Sequence, residues 1–360
     1  MADQITDSIW DRGWNKASDQ CFYPAATSSQ ESSRAQEFLH RLKARIDPHL
    51  LRRYGNDRGA NYEDLYAAAL QIYQDETSEL VNPMLSESIV AVRHDAAGLY
   101  QDCQMSDGRS GFEVLLVDSM RLIQWTVIHG LTGVGFPVGL QSLSSMARAT
   151  GNIDLFTLNH DLLIERELDR ACVPFADGFG EKDGDVAWFD DSWDTDNPVR
   201  LYKLHGSLDW YKLACPGGGE RFAKALPVPA RCQNHDGEQL RRLNSDPLFL
   251  SGGVGKDRLY GLGLFGEVFH KFHDELRRHH TLICSGYGWS DKGINSRLWQ
   301  WLHLGIDRRI VILYNENEGT DHPKNKPFWL KHWADLMALG KVVLRSQWLD
   351  ECSQADLEPY

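Results

Sequence analysis

The spacing of apolar residues changes once along this chain, near residue 150. Before it, Phe38, Leu39, Leu42 and Ile46 recur at three-to-four spacing, as do Tyr62, Leu65, Ala69, Ile72 and Tyr73, the stripe of an amphipathic helix. Asn61 precedes the second stripe and Asp64 falls three residues later, close to a capping box. Phe112, Leu115, Leu116, Ser119, Leu122, Ile123 and Val127 predict a third helix, which leads into a glycine-containing turn over 130–139. After it, short apolar runs alternate with helical patterns. Strands are predicted at 153–158, 199–204, 281–284 and 309–314, with a further one at 341–344. Helices are predicted at 162–171, along Phe265, Val268, Phe269, Phe272 and Leu276, and around Leu298, Trp299, Trp301 and Leu302. Buried strands alternating with helices predict an α/β fold, a doubly wound and mainly parallel sheet carrying a helical subdomain.

Three stretches fall outside this periodicity. Residues 1–33 are rich in Ser, Asp and Gln and read as a polar arm ahead of one large domain over 34–345, with 346–360 as a tail. Within that domain 34–130 is the helical part and 150–345 the α/β part, interrupted by insertions at 177–198 and 214–256. The first insertion sets eight acidic residues in 177–196 against Lys182 alone, so about half of the net charge of -13 sits there. Its acidic residues lack the alternate spacing and terminal Glu of a calcium loop, and a solvated surface loop is expected. The second insertion has little periodicity and reads as a covering loop or small subdomain.

Composition narrows the function classes. With 38 basic residues against 51 acidic ones and no basic stripe, direct nucleic-acid binding is not expected. Seven cysteines at irregular spacing, without a CxxC pair, fit a reduced cytoplasmic protein and offer no four-cysteine zinc module. Cys215, Cys232 and His235 form at most a fragment of one, so no metal is expected. The start carries Asp3, Asp7 and Asp11 and no apolar run, which excludes a secretory signal. No apolar stretch approaches the length of a membrane helix, and no membrane association is expected.

Candidate chemistry lies where the predicted strands end, the place at which open α/β sheets bind ligands. Thr157, Asn159 and Asp161 follow the first strand, and Asn and Asp two residues apart either face one ligand together or form a turn. His205 follows the next strand and precedes Gly206, and a histidine there is suited to accept a proton from a hydroxyl or water. Ser285, Gly286, Gly288 and Ser290 follow the third, with backbone N–H groups suited to phosphate ahead of a helix. Asn315 ends the fourth, where its amide would bind a ribose hydroxyl or cap a turn. Two glycine-rich stretches do not qualify. Gly252-Gly253-Val254-Gly255-Lys256 lacks the first Gly and the Ser or Thr of a phosphate loop, and Gly133-Val134-Gly135 follows a helix rather than a strand.

In combination, Thr157-x-Asn159-x-Asp161, His205-Gly206 with Ser207 and Trp210, and the 286–295 stretch Gly-Tyr-Gly-Trp-Ser-Asp-x-x-Ile-Asn resemble the motifs, in order, of the sirtuin-like NAD-consuming family, particularly its bacterial antiphage-defence branch. The resemblance covers about 140–320 and implies a Rossmann-like sheet and NAD+ as substrate. It implies that Asn159 holds the water or ribose, Asp161 the nicotinamide carboxamide, and that His205 is the base. Ser285, Gly286 and Ser290 would line the phosphates and ribose, and Asn315 the adenosine side. The implied reaction is hydrolysis of the nicotinamide N-glycosidic bond in a cytoplasmic homo-oligomer, depleting NAD+ in defence, with a partner such as an ATPase as a possibility. Protein deacylation is the less favoured activity, because the zinc module of those sirtuins is absent. One departure stands out. The family opens with a strand and Gly-Ala-Gly-x-Ser, and nothing in 1–60 matches it. Either that strand lies upstream of Met1, or the site has decayed into a non-catalytic NAD or ADP-ribose binding module.

Overall fold

The computed structural model of the protein describes residues 2–11, 29–54, 59–79, 83–101, 105, 107–132, 134–135, 139–193, 196–215, 217–225, 231–243, 246–251, 256–314, 327–347 and 349–352. Six helices come first: α1 (Ala2–Asp11), α2 (Ser29–Tyr54), α3 (Tyr62–Glu76), α4 (Ser86–Asp95), α5 (Gly111–Thr132) and α6 (Gln141–Thr150). The predicted stripes of α2, α3 and α5 meet in one core in which Phe38, Leu39, Leu65, Phe112, Leu116 and Ile123 are fully enclosed. The capping box at α3 is present. Asn61 Oδ1 accepts from the N–H of Glu63 (3.0 Å) and of Asp64 (3.1 Å), while the Asp64 carboxylate accepts from Asn61 N–H at 3.1 Å.

The polar arm is corrected by α1. Ile5 and Ile9 lie four apart on one helix face, both buried in the helical core, and the Thr6 hydroxyl accepts from the Tyr62 N–H at 3.0 Å. Two isoleucines at that spacing suffice for a buried stripe, which the surrounding Asp, Gln and Ser residues obscured.

The remaining chain alternates strands and helices: β1 (Ile153–Thr157), α7 (Leu163–Arg170), β2 (Phe175–Ala176), β3 (Gly178–Asp183), β4 (Val186–Ser192), β5 (Val199–Lys203), β6 (Trp210–Ala214), β7 (Glu220–Ala225), β8 (Arg231–Gln233) and β9 (Gln239–Arg242). Then follow α8 (Lys256–Leu259), α9 (Gly263–Arg278), β10 (Thr281–Ser285), α10 (Lys292–His303), β11 (Arg309–Tyr314), α11 (Pro327–Leu330), α12 (Trp333–Ala338) and β12 (Val342–Ser346).

The parallel strands form an α/β fold as expected, but in two halves: among the described residues one sheet runs β1-β5-β2 and another β10-β11-β12. Both halves point the same way. At their N-terminal ends His279, just before β10, hydrogen-bonds Asp154 of β1 at 2.5 Å, and at their C-terminal ends His205, after β5, meets Asp291, after β10, at 3.0 Å. Helix α9 joins them, placing Phe272 edge-on to Phe156 of β1 at 4.9 Å and sharing one core with Tyr202, Ile310 and Ile312. Strands β1 and β10 each keep one edge without a strand partner among the described residues.

The acidic insertion is also corrected. It folds as the β3–β4 hairpin of a six-stranded antiparallel sheet ordered β3-β4-β7-β6-β9-β8, which draws β7, β8 and β9 from 214–256. Phe179, Val186 and Trp193 are buried among the acidic positions, and they supply the apolar face that charge counting hides. The acids themselves hold the hairpin. Asp183 accepts from Trp188 Nε1 (2.7 Å) and from His235 N–H (2.7 Å), Asp185 accepts from Gln233 N–H (2.9 Å), and Asp177 pairs with Lys224.

Candidate active site

The site is built around the turn that ends β5. Lys203 C=O accepts from Gly206 N–H at 3.0 Å, closing the turn, and the flanking groups tie it to two other segments. Leu204 N–H donates to Thr157 C=O (2.9 Å), Leu208 N–H to His160 C=O (3.0 Å), and Leu250 N–H to His205 C=O (2.8 Å). Gly206 sits at φ +81°, and a Cβ there would lie 2.9 Å from both Phe249 Cα and Phe265 Cε1. Only glycine accommodates that backbone and that crowding. Leu208 and Phe249 belong to the helical core, so the α1–α5 unit braces the turn from behind.

His205 is buried, and its Nε2 faces two oxygens: the Tyr260 hydroxyl at 2.7 Å and Asp291 Oδ2 at 3.0 Å. Tyr260 also donates to Asp291 Oδ2 at 2.7 Å. The same carboxylate caps α10, its Oδ1 accepting from Ile294 N–H at 3.0 Å. Tyr260 is fixed by an offset stack on Phe269, 4.3 Å between centroids, and by Gly293, where a Cβ would fall 2.5 Å from the tyrosine ring. Burial works to raise the Asp291 carboxyl, but hydrogen bonds from His205, Ile294 N–H and Tyr260 outweigh it and hold it at about 2. Burial lowers His205 against the opposing pull of Asp291. The resting pair is therefore an ionised carboxylate beside a neutral imidazole.

The segment after β1 lies alongside. Thr157 Oγ1 accepts from Asn159 N–H at 3.1 Å, and Asp161 Oδ1 accepts from Leu163 N–H at 3.0 Å. Asn159 is exposed while Asp161 is buried. Asp161 thus serves the turn into α7, and the two side chains do not share one open face. Between them, His160 stacks against His205 with centroids 6.0 Å apart, and burial holds it neutral, well below its ordinary range. Beneath the turn, buried Lys203 pairs with Glu165 at 2.7 Å and donates to the Asp161 C=O. Such a pair is costly unless both members are satisfied.

The segment after β10 presents Ser285 and Gly286 to solvent, with Gly286 at φ +66° and open space around it. Gly288 C=O accepts from the Ser290 hydroxyl at 3.2 Å. In the first turn of α10 the Asp291 carboxylate already takes the Ile294 N–H. Asn315 lies outside the described residues, as does the rejected loop 252–255.

The structure therefore brings His205, Asp291 and Tyr260 together, ties Thr157 to the turn through its C=O, and leaves Asn159, Ser285, Gly286 and Ser290 exposed. Sequence reasoning missed Tyr260, Asp291, Lys203, Glu165 and His160 as parts of the site. Asp291 carried a signal, its place in the 286–295 motif, although no role was read for it. Tyr260 carried none, standing at the end of an aperiodic stretch.

Among the described residues, four buried polar atoms around the turn have no hydrogen-bond partner: His160 Nδ1, Ser207 Oγ, Asp209 Oδ1 and Ser251 Oγ. Buried polar groups are nearly always satisfied, so a polar guest, water or ligand, belongs here. Among the described residues, the group with metal-ligand spacing is Asp154, Glu275 and His279, at the opposite end of the strands. There Arg200 already grips Asp154 with two bonds of 2.6 and 2.9 Å, which leaves a poor cation site.

No protein-family model and no curated protein matches this chain. Among solved structures, it is similar to the crystal structure of a Sir2 homolog–NAD complex. The two share 14% identity at a TM-score of 0.36, covering 70% of this chain and 78% of that one. The fold assignment rests on the strand pairing itself. Among the described residues, no helix is long and apolar enough to cross a membrane.

Proposed function

We propose that this chain is a sirtuin-like NAD+ hydrolase that releases nicotinamide and ADP-ribose. The observation that carries the reading is His205, a buried neutral imidazole hydrogen-bonded to an ionised carboxylate where three parallel-strand ends converge. The motif resemblance supplies the substrate. Departure of neutral nicotinamide leaves an oxocarbenium-like sugar, which needs orientation, electrostatic support and a positioned nucleophile rather than a strong acid. His205 takes a proton from the attacking water or a ribose hydroxyl, and exposed Asn159 orients that water or ribose. The buried partnerless atoms His160 Nδ1 and Ser207 Oγ offer bonds to the guest. Ser285, Gly286 and Ser290 form the open rim for the phosphates. NAD+ depletion in antiphage defence, by a cytoplasmic homo-oligomer with a partner protein such as an ATPase, is the setting the resemblance suggests.

A second reading has its own observation. No glycine loop is found in 1–60, and among the described residues β1 and β10 each keep one edge without a strand partner, which favours a binding module without turnover. Nicotinamide release by wild type, Asn159→Ala and His205→Ala, with calorimetry against NAD+ and ADP-ribose, separates the two. The hydrolase reading expects turnover that falls about 10²- to 10⁴-fold in His205→Ala, the range of a lost general base. Binding without turnover supports the module, and equal turnover in all three proteins overturns the role of both residues.

A further inference from the structure

The His205 cluster contains more than a base, because the carboxylate beside the ring decides which of its nitrogens is basic. Nε2 lies within hydrogen-bond distance of two oxygens, Tyr260 Oη at 2.7 Å and Asp291 Oδ2 at 3.0 Å. The phenol has one proton, and Asp291 Oδ2 and His205 Nε2 both lie 2.7 Å from its oxygen. An ionised carboxylate is the stronger acceptor, so the phenol proton goes to Asp291. Both oxygens then turn lone pairs toward Nε2, and two facing acceptors require a proton on that nitrogen. The other nitrogen is differently placed. Nδ1 makes no hydrogen bond among the described residues, and it is not one of the fully enclosed partnerless atoms around the turn.

We propose that Asp291 is the positioning residue that holds His205 as its Nε2–H tautomer, with the Tyr260 phenol donating to the same carboxylate, leaving Nδ1 as the basic atom of the site. The surroundings are built for this arrangement. Asp291 is anchored by the α10 cap, so its second oxygen is aimed by the helix. Tyr260 is pressed between Phe269 and the space that Gly293 vacates by lacking a side chain. The other titratable groups acting on His205 are His160, Lys256 and Glu63, and the latter two pair at 3.4 Å. None of them hydrogen-bonds its ring.

The test reads the tautomer directly. In protein labelled with ¹⁵N-histidine, long-range ¹H–¹⁵N correlation distinguishes the two tautomers, and a His205→Gln sample identifies the His205 signals. Wild type is expected to show Nε2 protonated and Nδ1 bare. Asp291→Asn keeps a capping side chain but turns an N–H₂ donor toward the cluster. Tyr260 then has no carboxylate to donate to and gives its proton to Nε2, so the ring is expected to shift to Nδ1–H. Tyr260→Phe keeps the stacked ring and one acceptor, and retains the wild-type pattern. A wild-type ring protonated on Nδ1, or an Asp291→Asn ring still protonated on Nε2, overturns the assignment. The kinetic consequence rests on the hydrolase reading: Asp291→Asn should lower kcat for nicotinamide release by about 10²- to 10⁴-fold, as for a lost base, with KM for NAD+ nearly unchanged. If wild type releases no nicotinamide, that reading fails while the spectrum still decides the tautomer.

Discussion

At the scale of single residues, burial and charge act against each other in a small volume. His160 and His205 are both held below their ordinary range, chiefly by burial, while Asp291 is held at about 2 by the donors around it. The two kinds of group make stability depend on pH in successive windows. An unfolded histidine begins to bind a proton near its free value of about 6.5, whereas the buried pair does not until a lower pH. Their contribution is therefore complete above about pH 6.5 and is lost as the pH falls toward their folded values. The Asp291 contribution is present above the unfolded carboxyl value of about 3.9 and is lost only as the pH falls toward about 2. Urea midpoints measured downward from about pH 8 should start to drop near 6.5, and His160→Gln should flatten that first decline. Of these residues, His205 was legible in sequence, since it ends an apolar run and precedes a glycine. Tyr260 was not, because its role comes from a missing Cβ at Gly293, a contact between positions 33 residues apart.

Elements were most legible where one local rule decided them. The α3 cap could be read from Asn61 and Asp64 alone, and it forms with both reciprocal bonds. Asn61→Ala should lower stability by about 1 kcal/mol, seen as a reduced midpoint in thermal or urea unfolding. The loss has a local witness, because the cap sits beside the Tyr62 N–H bond to Thr6 that fastens α1. The elements that escaped were those in which composition and pairing disagree. In the β3–β4 hairpin the carboxylates are hydrogen-bond acceptors for a neighbouring strand and an indole, so acidity marks a scaffold there rather than a solvated loop. In α1 two isoleucines outweigh eight less apolar neighbours because a partner face, α5 and α3, is waiting for them.

For the whole molecule, the sequence pattern predicted parallel strands and their positions along the chain, but not that among the described residues they pair as two sheets. Pairing between strands far apart in sequence is a long-range property that periodicity does not encode. The division is measurable by hydrogen exchange. Strand β11 is bonded on both sides, whereas β1 and β10 are bonded on one. Alternate amides of β1 and β10 should therefore exchange faster than those of β11, while their bonded neighbours stay protected. Joining the halves are α9, the Asp154–His279 bond at one end and the His205–Asp291 bond at the other. The imidazole belongs to one half and its carboxylate to the other. Opening that seam by about an ångström takes a 3.0 Å contact beyond hydrogen-bonding range. The alignment of two sheets and the place of one proton are thus a single mechanical variable, and whatever grips both halves at once sets the chemistry of His205.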